Sequence, residues 1–211
     1  MKKRTKTIIL SVAGVLILGA ALAGSIMSDV EQAKYEVAEK QDNIEIRDYA
    51  PMIIAEVEVA GERKEAISKG FRLIADFIFG NNAPAQKVAM TAPVLQQPSE
   101  KIAMTAPVTQ QGASNSWKVR FVMPANYTMA TLPKPNNSSV KLHKLASKRF
   151  AAIRFSGRAS DDCLQEQTEK LNNFITAQKL TAKSAPTYAF FNPPWTLPFL
   201  RRNEVMVEIA K

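Results

Sequence analysis

The sequence predicts an α+β domain built from two similar halves, preceded by an N-terminal helix that targets or spans a membrane. Three observations carry this reading. Short segments alternate apolar and polar residues, as half-buried strands do. The order strand, helix, strand, strand occurs twice, with Gly61 and Gly157 at equivalent strand-to-helix corners 96 residues apart. Residues 7–28, TIILSVAGVLILGAALAGSIMS, contain no charge.

The N-terminal segment comes first. A run of about 20 apolar residues is long enough to cross a bilayer as a helix. The basic head MKKRTK keeps residues 1–6 cytoplasmic and directs the remainder of the chain across the membrane. The small-x-small triplet Ala21-Leu22-Ala23 also fits a signal peptidase site, with cleavage after Ala23. An uncleaved anchor is the preferred of the two. The chain thus divides into an anchor or signal segment, 1–28, and a domain, 29–211. That domain is expected on the periplasmic or outer face of the inner membrane, or free in the periplasm if the segment is removed.

Strands are expected at 35–39 and 43–49 around a KQD turn, and at 51–61. Residues 62–80 switch to helical spacing, with Ile67, Phe71, Ile74 and Ile78 on one face and Gly80-Asn81-Asn82 as the stop. A strand at 116–124 closes at Pro124. The second half repeats the order. A strand at 149–157 leads to a helix at 160–178 with Ser160 as N-cap, two aspartates in its first turn, and a buried stripe of Leu164, Leu171 and Ile175. Strands at 186–192 and 203–211 complete it.

Between the first helix and the 116–124 strand an eleven-residue phrase occurs twice, KVAMTAPVLQQ at 87–97 and KIAMTAPVTQQ at 101–111. Val88, Met90, Ala92 and Val94 share one face of an extended chain, as do Ile102, Met104, Ala106 and Val108. Pro93 and Pro107 cannot donate to a ladder, which predicts edge strands. The two copies read as arms of a local hairpin. Their methionines suit either a core or the face of a planar hydrophobe.

Charge and composition exclude several classes. The formal charge is +9, but four positive residues lie within the first six, and no Lys/Arg run is interleaved with aromatics. A nucleic-acid partner is not expected. The single cysteine, Cys163, cannot form an intrachain disulfide. It sits in a helix's first turn, where a thiol pKa can fall, but no second histidine or orienting acid accompanies it. His143, the only histidine, lies in an alternating segment beside Lys141 and Leu145. It is read as a partly exposed strand residue ahead of an axial haem ligand. Metal sites gather about four Cys, His or carboxylate ligands, and nothing clusters that way. Phosphate-loop and nucleophile-elbow patterns are missing, so the sequence makes no case for catalysis. The stretch YAFFNPPWTLPFLRRNEVMVEI is a stiff, aromatic, proline-rich loop. Its arginines either bind backbone carbonyls and Glu204 or grip a flat apolar ligand that carries carboxylates.

YEVAEKQDNIEIRDYAP, the AMTAPV phrase after a glycine-ended helix, WKVRFVMP and NPPWTLPFLRRNEVMVEI together resemble the SOUL haem-binding protein family, from Tyr35 to the C-terminus. The resemblance implies a distorted antiparallel β-barrel of about eight strands with two helices and internal twofold symmetry. It implies non-catalytic binding of haem or a related tetrapyrrole in a hydrophobic groove near the first helix, with basic groups at the propionates. On this chain the groove would involve Ser68, Lys69, Phe71, Arg72 and Ala75, with His143 as a further candidate ligand. Ser68 and Asp76 fall where haem-binding relatives carry basic residues, and Lys69 and Arg72 substitute. The relatives' histidine lies in the N-terminal half, so strong axial histidine ligation is not expected. The same barrel serves as an effector-binding module for other amphipathic molecules, and a hydrolase on it is the third reading.

Overall fold

A computed structural model of the chain describes residues 31–84, 87–98, 116–193 and 195–211. The expected N-terminal helix and the second copy of the doubled phrase lie outside the described residues.

Eleven strands and two helices are arranged in chain order: β1 (Tyr35–Gln41), β2 (Ile44–Tyr49), β3 (Met52–Ala60), α1 (Arg63–Ile78), β4 (Asn82–Ala83), β5 (Val94–Pro98), β6 (Ser116–Val122), β7 (Lys134–Pro135), β8 (Lys141–Leu145), β9 (Lys148–Phe155), α2 (Asp161–Ala177), β10 (Thr187–Phe190) and β11 (Asn203–Ile209). Nine strands form one antiparallel sheet in the order β1-β2-β9-β11-β10-β5-β6-β3-β8, and β4 pairs with β7 alone. The terminal strands β1 and β8 are not partners, so the sheet is a curled half-barrel of nine strands, where a distorted barrel of about eight was expected.

The two halves are the units β3-α1-β5-β6 and β9-α2-β10-β11, and they meet where Val94 faces Phe190 and Gln96 faces Tyr188 across the β5–β10 ladder. Gly61 and Gly157 both take positive φ, 120° and 104°, at the corners that lead into the helices. Only glycine takes that backbone readily. Ser160 caps α2 by accepting from the Cys163 amide at 3.4 Å. Leu164, Leu171 and Ile175 are buried as expected. The β1–β2 turn is Asp42-Asn43, one step later than KQD, with Asp42 at φ 52°. Aspartate is among the side chains that visit this region.

The strand before each unit pairs with the other unit: β2 with β9, and β8 with β3. Each is joined to the next strand in sequence by two residues, Ala50-Pro51 and Ala146-Ser147. In a flat sheet those strands would stand six ladders apart, roughly 29 Å at about 4.8 Å per ladder. Three Cα steps reach at most about 11 Å. The curl is therefore imposed by connectivity.

Both helices cover one face. Under α1 lie Val57, Val59, Val119 and Phe121; under α2 lie Ile46, Ile153, Val205 and Val207. The buried face of α1 is Ala66, Gly70, Ile74, Phe77 and Ile78, a stripe rotated from the expected one, and Phe71 is left 39% exposed. Gly70 explains the rotation. A Cβ there would meet Val119 Cγ2 at 2.6 Å, so the helix backbone rests directly on β6.

The opposite face holds Tyr49, Ala152, Ala189 and Met206, and a buried ion pair. Arg47 (1% exposed) donates to Glu204 (0% exposed) through two nitrogens, at 2.6 and 3.1 Å. Glu204 also accepts from Arg202 at 2.9 Å. Burial alone would lower the Arg47 pKa, but the hydrogen bonds and charge of Glu204 raise it above the ordinary arginine value. Burial likewise pushes the neighbouring Tyr49 phenol up to about 12.

The doubled phrase behaves differently from its expectation. Both edges of β5 are occupied, by β6 and β10, so the first copy runs through the middle of the sheet. Its partner on one side is β6, which begins at Ser116. Pro93 precedes β5 and needs no ladder donor. Val88 and Met90 join the core under α1, while Ala92 turns to the other face.

Two outcomes test these contacts. Gly70→Ala should destabilise the fold by about 1–3 kcal/mol through overpacking, although alanine is the better helix former. A melting temperature equal to or above that of the parent would contradict the close approach. Glu204→Gln should cost about 2–3 kcal/mol in urea unfolding, because it removes the fully buried one of the two carboxylates that pair with Arg47 and leaves only Glu45, 2.8 Å away.

Candidate functional site

On the helix-covered face, a groove of about 500 Å³ lies over the β5–β10 seam beside α1. Its floor comes from the outward alternate positions of the two central strands, Val94 and Gln96 on β5 and Phe190 on β10. One wall is α1, where Lys64, Ser68 and Arg72 recur every fourth residue and Ile67 and Phe71 line the neighbouring row. That i, i+4 spacing puts them on one stripe. The other wall is Ala159 ahead of α2, with Asn192, Pro193, Arg201 and Asn203 from the proline-rich loop and the start of β11.

The Phe71 ring lies 5.2 Å from Phe121, which holds it at the groove's edge with one side open. Arg63 crosses the seam beside the groove. It donates to Asp161 at 2.7 Å and to Gln96 at 3.2 Å, and its guanidinium lies 5.9 and 5.6 Å from the ring centres of Trp117 and Tyr188. This ties the start of α1 to the start of α2. On the loop, Trp195 and Phe199 are 60% and 70% exposed. Arg201 donates to the Thr196 carbonyl at 2.7 Å. Arg202 stacks 3.8 Å from the Phe191 ring and bonds Glu204, Gln32 and Tyr35. Thus Arg202 seals the loop to the sheet, while Arg201 lines the groove.

The lining carries three cations, Lys64, Arg72 and Arg201, and no carboxylate. Such a site favours a flat apolar body with anionic groups at its rim. It also contains no imidazole, thiol or thioether. The residues therefore fit a macrocycle and its carboxylates, and supply no usual axial ligand for iron.

Of the residues named from sequence, Ser68, Phe71 and Arg72 line this groove. Lys69 is exposed one position off the stripe, and Ala75 is buried beyond it. His143 is not brought to them: it lies on β8 opposite Ile54, with Nε2 3.9 Å from a Glu56 carboxylate oxygen. Glu56 in turn accepts from Arg120 at 2.5 Å. Burial raises the Cys163 pKa, with Glu166 adding to it, so the helix start does not activate that thiol. Among the described residues no three His, Cys, Asp or Glu side chains gather as a metal site. Lys64 escaped the sequence reading although it stands four residues before Ser68. Gln96 and Phe190 escaped because nothing local shows that β5 and β10 are neighbours.

The family model for SOUL haem-binding proteins matches residues 30–208. The chain belongs to that family. No curated protein sequence matches it. Among solved structures, the C-terminal domain of EcmrR is similar with a TM-score of 0.59 at 10% identity, covering 84% of this chain and 98% of that one. An uncharacterized conserved protein from Listeria innocua gives 0.57 at 10% identity, covering 81% and 93%. A hydrolase from Listeria innocua gives 0.51 at 10% identity, covering 82% and 94%. At these identities the SOUL chain shares a fold with them, and no more.

Proposed function

We propose that this SOUL domain binds haem or a related tetrapyrrole in the groove between α1 and the β5–β10 seam, and that it does so without catalysis. The observation that carries this is the lining itself, a mostly apolar surface with Ile67, Phe71, Val94 and Phe190, rimmed by Lys64, Arg72 and Arg201 with no opposing acid. Phe71 and Phe190 offer ring faces and edges to the macrocycle, and the cations pair with its carboxylates. Bound haem would bring an iron centre whose ligation the groove does not provide. Other amphipathic anions share these requirements, which makes an effector-binding role the second reading. The hydrolase reading needs an acid in the cavity, and the groove lining contains none.

Titration of the purified protein with hemin should give a saturable Soret change. Metal-free protoporphyrin should bind with similar affinity, because carboxylates and apolar area do the holding. Lys64→Glu and Arg72→Glu should each weaken both ligands roughly tenfold through loss of a charge-assisted contact, and His143→Ala should weaken neither. A hemin response that depends on His143, or that is matched by an unrelated basic protein, would sink the proposal.

We further propose that residues 7–28 hold the domain at a membrane, facing away from the cytoplasm. Their uncharged composition and the basic residues before them support this. No helix among the described residues is long and apolar enough to cross a membrane, so the anchor would be this segment alone. Intact-mass measurement of the protein from a membrane fraction should show residues 1–23 retained. A soluble form beginning at Gly24 would replace the anchor with a cleaved signal.

A further inference from the structure

A second cavity lies at the mouth of the curled sheet, where the domain's first described residues cross the β2–β3 link. It measures about 510 Å³, within the usual range for small-molecule sites. Its walls are largely apolar, with Met52, Ile53, Val122, Met123 and Met129 among them, and the short link Ala50-Pro51 forms part of the rim. It is continuous in lining with a smaller space of about 50 Å³ through Ala33, Met52 and Val122, which leads towards Tyr49, Phe150 and Met206.

Charge at the mouth is asymmetric. Lys34 and Lys144 stand there exposed, and among the described residues neither is held by an ion pair or hydrogen bond of its side chain. The one carboxylate of the lining, Glu31, accepts from the Ala125 amide at 2.9 Å and so braces the wall. A largely apolar recess with two exposed lysines in its lining matches an apolar tail with an anionic head. Thioether side chains suit a flexible chain, since they adapt to its path.

We propose that this cavity holds the acyl chain of an anionic amphiphile, with the head group against Lys34 and Lys144. It is separate from the α1 groove and shares no lining residue with it. The wall begins at Glu31, three residues after the uncharged run. With residues 7–28 as a bilayer anchor, three residues of chain hold Glu31, at the start of that wall, within about 10 Å of the anchor's end. The source of the ligand rests on the anchor reading; its chemistry does not.

The test uses the full chain with phosphatidylcholine vesicles and palmitate bearing a photoactivatable group at its chain end. After irradiation, mass spectrometry should place label on peptides covering 50–53 and 122–130. Lys34→Glu combined with Lys144→Glu should reduce labelling at least about tenfold, as two charge-assisted contacts become repulsive. Ala130→Trp fills the cavity from an exposed rim position and should do the same without disturbing the core. Arg72→Glu, in the groove, should change nothing. Vesicles containing phosphatidylglycerol then assign the source. Competition points to a leaflet lipid and its absence to free fatty acid, and both support the site. Labelling that survives both cavity variants, or that is lost only with Arg72→Glu, overturns the proposal.

Discussion

Two links of two residues each govern this molecule. Ala50-Pro51 and Ala146-Ser147 join strands that the ladder order places far apart, so the nine strands cannot lie flat. Curling brings the β2 and β3 ends together and gives the sheet one convex and one concave side. The convex side, with both helices, carries the groove. The concave side carries the Arg47–Glu204 pair and the apolar cluster around Tyr49 and Met206. Exchange of β2 and β8 between the units also means that neither half has a complete sheet of its own.

The pseudo-twofold arrangement then places the groove. Each unit leads with a strand, lays a helix across it and returns, so the seam between units falls between β5 and β10. Neither helix covers that seam fully, because each packs on its own unit's outer strands: α1 on β3 and β6, α2 on β9 and β11. Arg63 spans the gap at one end, and the proline-rich loop borders it on another side. A ligand there would touch both units at once. The buried Glu204 contributes from below by fixing Arg202, which leaves Arg201 as the loop's cation on the groove.

Much of this is legible in residue patterns, and the exceptions have physical reasons. Alternation locates the strands, and Gly61, Gly157 and Ser160 mark the helix starts, since positive φ and capping are local demands. Alternation says which face a side chain takes but not which strand lies beside it. The β2–β9 and β8–β3 exchange is accordingly invisible in the sequence, and prolines that suggest an edge strand say nothing of the two neighbours that β5 has. The α1 stripe is misleading because Gly70 carries no hydrophobic signal, although the helix rests on β6 there with no room for a Cβ. Ser68, Phe71 and Arg72 come from the family resemblance, whereas Lys64 needs only helical spacing. The cavity by the β2–β3 link is assembled from chain segments that join only in three dimensions, and no single stretch announces it.

The position of β11 has a consequence for the growing chain. It comes after every other strand of the sheet in sequence, yet it stands fourth in the nine, between β9 and β10, and supplies Glu204 to Arg47. Until residues 203–209 emerge from the ribosome, β9 and β10 lack a shared neighbour and the Arg47 guanidinium has only Glu45, not its buried partner Glu204. Native closure therefore waits for that one segment, whatever has collapsed before it. Synthesis delivers the keystone after the arch.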